Sequence, residues 1–229
     1  YWGQKESEDS PPYMGIMVLA LAVIGLIFYR KDIFVQCLFV VILFSVFLSF
    51  GKNMSLLYDF FYYNIPSFNK FRAPSMSLAL MHFSVPILAG YGISAIIKFR
   101  KEVFDFSKKY VWGSFIASGA FLLLAIVFAL IFKDSYIQAV TSSDTISRYL
   151  QYFQNLPDFV YSNMIGDWFI GAFILIAFSC LMWAYVQRKM NSNYFFIALF
   201  VILVFDLWRV GFNRMEVSKE NINDEVFRK

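Results

Sequence analysis

Six stretches of the chain are apolar and almost free of charge: Tyr13–Tyr29, Ile33–Phe50, Met76–Ile97, Val111–Phe132, Trp168–Val186 and Tyr194–Trp208, the last continuing through Asp206 to about Phe212. None alternates apolar with polar residues at a period of two, which argues against strands. A helix needs about 20 apolar residues to cross the hydrocarbon core, with about 17 as the lower limit. The middle stretches pass easily and the first lies at the limit. The pattern predicts an all-α, polytopic transmembrane helix bundle of about six spans over residues 1–212. Residues 213–229 read as a polar extracytoplasmic tail, expected to open a further domain.

The segments between the spans predict an orientation. The short links Arg30–Asp32, Lys98–Tyr110 and Gln187–Asn193 hold nine Lys or Arg against three acids, whereas the other side holds eleven against thirteen acids over longer segments. Positive density beside the membrane faces the cytoplasm. Both termini and the Gly51–Ser75 and Lys133–Asp167 loops are therefore expected outside. In the second loop Ile146, Tyr149, Leu150, Phe153 and Leu156 recur at helical spacing between Ser143/Asp144 and Pro157. This predicts a capped amphipathic helix in the interface, ended by Pro157. In the first loop, Met54–Tyr63 is too short and too aromatic for anything but a surface or re-entrant segment.

Composition agrees with the pattern. Of 229 residues, 59% are hydrophobic, 21% aromatic and only 16% charged, against about 25% charged in an average soluble domain. A soluble globule has no place for that much apolar surface. The net charge of +4 comes from clusters between apolar runs, a topology signal rather than a nucleic-acid-binding face. Cys37 and Cys180 fall inside spans and offer no disulfide framework, and the single His82 cannot build a histidine-based metal site. The chain begins with Tyr1 and an acidic, polar stretch, so it is expected to be a segment of a longer polypeptide.

Candidate chemistry concentrates in the first outer loop. Ser49-Phe50-Gly51-Lys52-Asn53 and Pro66-Ser67-Phe68-Asn69-Lys70-Phe71-Arg72-Ala73-Pro74-Ser75 bracket the aromatic segment with cations on the face where the positive-inside rule disfavours them. Lys52, Asn53, Lys70 and Arg72 suit the phosphate of a lipid-linked substrate: the guanidinium fork grips phosphate oxygens and the ammonium adds a point charge. The plainer reading is snorkelling to anionic headgroups. Asp206 and Arg209, three apart on the last span, form a second candidate. They read either as an ion pair ending the helix or as a carboxylate turned into the bundle to orient a hydroxyl or a basic loop residue. His82 reads as a hydrogen-bonded core residue. Pro86, Gly90 and Gly92 read as a kink or close helix contact, and Asp167 as a helix N-terminal acid.

Taken in order, Tyr1-Trp2-Gly3, Pro12-Tyr13-Met14-Gly15, Leu48-Ser49-Phe50-Gly51-Lys52-Asn53, Pro66…Asn69-Lys70-Phe71-Arg72-Ala73-Pro74-Ser75 and Phe205-Asp206-Leu207-Trp208-Arg209-Val210 resemble the YfhO-like family of bacterial membrane proteins. The resemblance runs from residue 1 to about 216 and is strongest over residues 1–95. That family is related to the GT-C glycosyltransferases. The resemblance implies a membrane glycosyltransferase of the bacterial inner membrane, taking a sugar from a polyprenyl-phosphate carrier to an envelope polymer, lipid or protein on the outer face. It carries over Lys52, Asn53, Lys70 and Arg72 as carrier-phosphate contacts. It gives no catalytic residue, because the loop that holds the GT-C acid has no counterpart here. Many such enzymes use a divalent cation, and the sequence shows no ligand cluster for one. Membrane lipids are the other expected partners; nucleic acid is not. Two further readings are a non-catalytic membrane scaffold, in which Lys52 and Arg72 are replaceable, and a transporter of lipids or lipid-linked sugars. The transporter calls for paired mid-membrane charges and an inverted repeat, and the sequence displays neither.

Overall fold

The computed structural model describes residues 13–50, 64, 77–101, 104–141 and 156–215. Among them are seven helices and no strand. They are α1 (Ile16–Phe28), α2 (Ile33–Ser49), α3 (Leu78–Lys101), α4 (Phe104–Ile131), α5 (Lys133–Thr141), α6 (Leu156–Val186) and α7 (Ser192–Met215). Helices α3, α4, α6 and α7 are long and apolar enough to cross a membrane; α1 and α2 are shorter apolar helices of 13 and 17 residues. At 1.5 Å per residue, those two reach about 20 and 26 Å, short of a core of about 30 Å.

The packing inverts that of a soluble protein. Large apolar side chains face outward on every long helix, among them Phe83, Trp112, Ile116, Leu130, Phe173, Phe200 and Trp208. Contiguous exposure of this kind is what lipid, not water, tolerates. The chain is a multi-pass membrane protein.

Two groups of helices form the bundle. In the first, α3 packs against α1 and α2. Helices α1 and α3 run parallel and touch backbone to backbone, because Gly25 and Gly92 leave no side chain between them: a Cβ on Gly92 would lie 2.0 Å from the Leu21 carbonyl oxygen, and one on Gly25 2.4 Å from that of Leu88. Gly92 therefore makes the close contact expected of this span, while Gly90, with nothing within 4 Å, does not. Pro86 is accommodated inside α3.

In the second group, α4 and α6 run antiparallel. Val111, Ser118 and Ala125 on α4 and Ala172, Ser179 and Val186 on α6 are buried at seven-residue intervals, a seam of small residues of the kind that joins helices in lipid. At its middle the Ser118 and Ser179 hydroxyls are 3.0 Å apart, and each also reaches the carbonyl one turn back, Ser114 at 2.7 Å and Leu175 at 2.9 Å. Buried hydroxyls in lipid are thus paired.

Several boundaries differ from the sequence reading. Helix α6 starts at Leu156 rather than near Trp168. Pro157 lies in its first turn, where a missing N–H costs nothing, so this proline opens a helix instead of ending one. Asp158 follows in the same turn and pairs with Lys133 at 3.1 Å, an exposed bridge of small worth. Asp167 is consequently inside α6 and caps nothing. The link expected over Lys98–Tyr110 is mostly helical, since α3 runs to Lys101 and α4 begins at Phe104. Helix α7 continues to Met215, past the Asp206–Arg209 pair that was one reading of its end. The amphipathic segment Ile146–Phe153, the aromatic segment Met54–Tyr63 and the tail beyond Met215 lie outside the described residues.

The three short links meet at one end of the bundle. Arg188 donates to the Arg100 carbonyl at 3.4 Å and Arg100 to Ser192 Oγ at 3.2 Å, while Lys98 lies over the Tyr29 ring at 4.7 Å. At the opposite end are the start of α1, Asp167 of α6 and Asp206 and Arg209 of α7. Aromatic clusters mark both ends, Phe28, Phe99 and Tyr110 at the basic one and Phe121, Phe128 and Trp168 toward the other. This is the two-belt pattern of membrane interfaces.

Candidate functional site

The end opposite the basic links carries the polar machinery. Helix α1 has no cap of its own: Gly15 precedes it at φ 89°, a conformation glycine adopts freely, and offers no side-chain oxygen. The cap comes from 190 residues away. Asp206 of α7, 1% exposed, turns its carboxylate onto the first turn, with Oδ2 accepting from the Ile16 amide at 2.8 Å and at longer range from Met17 at 3.5 Å. Oδ1 accepts from the Tyr13 hydroxyl. A carboxylate at a helix N-terminus gains from both the free N–H groups and the helix dipole. Gly15 is required twice here, because a Cβ would also meet Asp206 Oδ2 at 3.1 Å.

Of the two sequence readings of Asp206, the interior-facing one describes its position. The hydroxyl it orients is Tyr13 of this chain, and the partner foreseen for it is engaged elsewhere. Arg209 donates from Nη1 to Asp167 Oδ1 of α6 at 2.6 Å. The two acids thus divide their roles: Asp206 faces the N–H donors of α1, and Asp167 is the acid across the α6–α7 contact. The arginine is largely covered, with its Nε buried and unpartnered.

The junction of α2 and α3 belongs to the same end. Ser45 on α2 and Ser77, just before α3, exchange hydrogen bonds, with Ser45 Oγ donating to the Ser77 carbonyl at 2.5 Å and Ser77 Oγ to the Ser45 carbonyl at 3.0 Å. Lys52, Asn53, Lys70 and Arg72 lie between these anchors in sequence and outside the described residues. His82 is half-buried and donates from Nδ1 to the Leu78 carbonyl at 2.8 Å, one turn back in its own helix, as a core histidine would. Cys37 and Cys180 are free thiols on the outer faces of α2 and α6.

A divalent cation does not fit the described residues here. Asp206 is committed to N–H and O–H donors, Asp167 to a guanidinium, and no three His, Cys, Asp or Glu side chains converge among the described residues.

The Tyr13–Asp206 clasp was out of reach of the sequence reading, which placed Tyr13 inside the first span. The signal was present in Pro12-Tyr13-Met14-Gly15: a glycine just before an apolar run with no capping side chain calls for an acceptor from elsewhere. No family model, no curated protein and no solved structure matches the chain.

Proposed function

We propose that the chain is the membrane-embedded part of a GT-C-type glycosyltransferase that moves a sugar from a polyprenyl-phosphate carrier to a cell-envelope acceptor. In this reading it makes six crossings of the bacterial inner membrane, with the basic end cytoplasmic and both ends of the chain outside. The ordered motifs in the sequence motivate the proposal. The observation that supports it is that Ser45 and Ser77, which flank in sequence the segment containing Lys52, Asn53, Lys70 and Arg72, clasp each other at the end of the bundle that also holds the Asp167–Arg209 pair.

The roles follow from charge. As the glycosidic bond to the carrier breaks, negative charge develops on the departing phosphate, and Lys52, Lys70 and Arg72 neutralise it there. Asn53 adds a neutral donor. A general base deprotonates the acceptor hydroxyl as it attacks the sugar. Asp206 has a structural part, fixing the start of α1.

Membranes containing the intact gene product, with Arg72 replaced by Ala, should transfer labelled sugar from the polyprenyl-phosphate donor about a hundredfold more slowly at normal protein levels, the scale of losing one charge-stabilising donor. Transfer at the unmodified rate would remove Arg72 from the reaction. Failure of the unmodified protein to transfer any sugar would contradict the glycosyltransferase reading itself.

A further inference from the structure

The basic end carries a second candidate site, and its strongest mark is strain. Helix α6 ends in a Schellman motif: the Lys189 amide donates to the Ala184 carbonyl at 3.0 Å and the Arg188 amide to that of Tyr185 at 3.1 Å. The motif places Arg188 in the left-handed region at φ 60°, the one non-glycine residue with positive φ among those described. Glycine would occupy this position without steric cost. The strain is tolerated where a long cationic side chain stands, and a strained residue that glycine could relieve is a pointer to use of its side chain.

That side chain is directed at a second arginine. Arg188 Nη2 donates to the Arg100 carbonyl at 3.4 Å, and the Arg100 guanidinium lies over the Tyr185 ring at 4.6 Å while donating to Ser192 Oγ at 3.2 Å. The Tyr185 ring is itself stacked on Phe195, 4.1 Å away, and both rings are buried beneath Arg100. Neither arginine forms an ion pair with a carboxylate among the described residues. Each guanidinium has five N–H donors, and the contacts above use only some of them. Arg188 reaches the backbone of Arg100, so two cationic side chains with spare donors arise at the same end of the bundle, which suits an anion with several acceptor oxygens.

The surroundings choose among anions. Lys189 lies over Trp183 at 4.3 Å, and this ring is exposed on the surface of α6. Cationic heads thus adjoin an apolar flank at one level, which suits a molecule with a phosphate at one end and acyl chains at the other. We propose that Arg100 and Arg188 form a binding site for the phosphate of an anionic phospholipid headgroup, with Lys189 at its rim and Trp183 against its acyl chains.

The test uses the purified protein in a neutral detergent, with binding read as saturable thermal stabilisation and by native mass spectrometry. Phosphatidylglycerol, phosphatidylcholine and inorganic phosphate are the three probes. The expected result is saturable binding of phosphatidylglycerol, weakened about tenfold in Arg188→Gly and in Arg100→Gln, with little effect of the other two probes. Arg188→Gly relieves the backbone strain, so it should be at least as stable as the parent without lipid. Unchanged phosphatidylglycerol affinity in either variant would overturn the proposal. So would equal stabilisation by phosphatidylcholine, which needs no anion site, or by inorganic phosphate, which needs no lipid.

Discussion

Gly92→Ala is expected to cost the fold about 3 kcal/mol, the upper part of the usual range for forcing a carbon into a filled space. The added Cβ would stand 2.0 Å from the Leu21 carbonyl oxygen and 2.7 Å from its carbon, both backbone atoms that no rotamer change can move. Helix α1 would have to retreat from α3, opening the most extensive helix contact in the bundle. In lipid the loss is not softened by a hydrophobic driving force between helices, since the tails are as apolar as the side chains. Gly90→Ala, two residues away on the same helix, meets nothing within 4 Å and should be neutral or stabilising by up to about 1 kcal/mol through helix propensity. Unfolding of the two variants in mixed micelles measures the difference. Equal stability of both would mean that α1 and α3 are not in backbone contact. Gly25→Ala should resemble Gly92→Ala, and the double variant should cost less than the two together, because both act at one crossing.

The second large effect concerns Asp206. Replacement by Ala strands the partly buried Ile16 amide and Tyr13 hydroxyl, at an expected cost of about 2–3 kcal/mol. Asp206→Asn keeps the shape and one accepting oxygen, and asparagine caps helices as well as aspartate does, so the loss should be about 1 kcal/mol. Hydrogen exchange at Ile16 and Met17 reads this directly: protection should collapse in the Ala variant and survive in the Asn variant. The same pair separates structure from chemistry. A capping role predicts that Asn preserves whatever activity the intact gene product has, whereas a carboxylate that moves protons would lose it with Asn as completely as with Ala.

How much of this was legible depends on range in sequence. The apolar runs located the cores of all six long or medium helices, because lipid imposes a composition that any window detects. Ends were harder. Leu156-Pro157-Asp158 reads as a stop beside the periodic segment before it, although proline followed by an acid is equally a start signal and here opens α6. Asp167, directly before the apolar run from Trp168, reads as a helix N-terminal acid only while the polar turn before it hides the earlier start. The seam of Val111, Ser118 and Ala125 against Ala172, Ser179 and Val186 was visible as two seven-residue series, but only the fold shows that they face each other. Pairing of Asp206 with Arg209 looked natural at three residues' spacing. A local neighbour on one helix competes with donors from other helices, and here the first turn of α1 and Asp167 of α6 hold the two side chains instead.

If the long helices cross a membrane, the basic end and the Asp206 end of the bundle face its opposite sides. Cysteine labelling tests it most directly. In a background with Cys37 and Cys180 replaced by Ala, Asp158→Cys and Lys189→Cys are made separately, both at exposed positions near the two ends. Intact cells are treated with a membrane-impermeant maleimide before and after permeabilisation. Asp158→Cys should react in intact cells and Lys189→Cys only after permeabilisation. Reaction of both from the same side would contradict it.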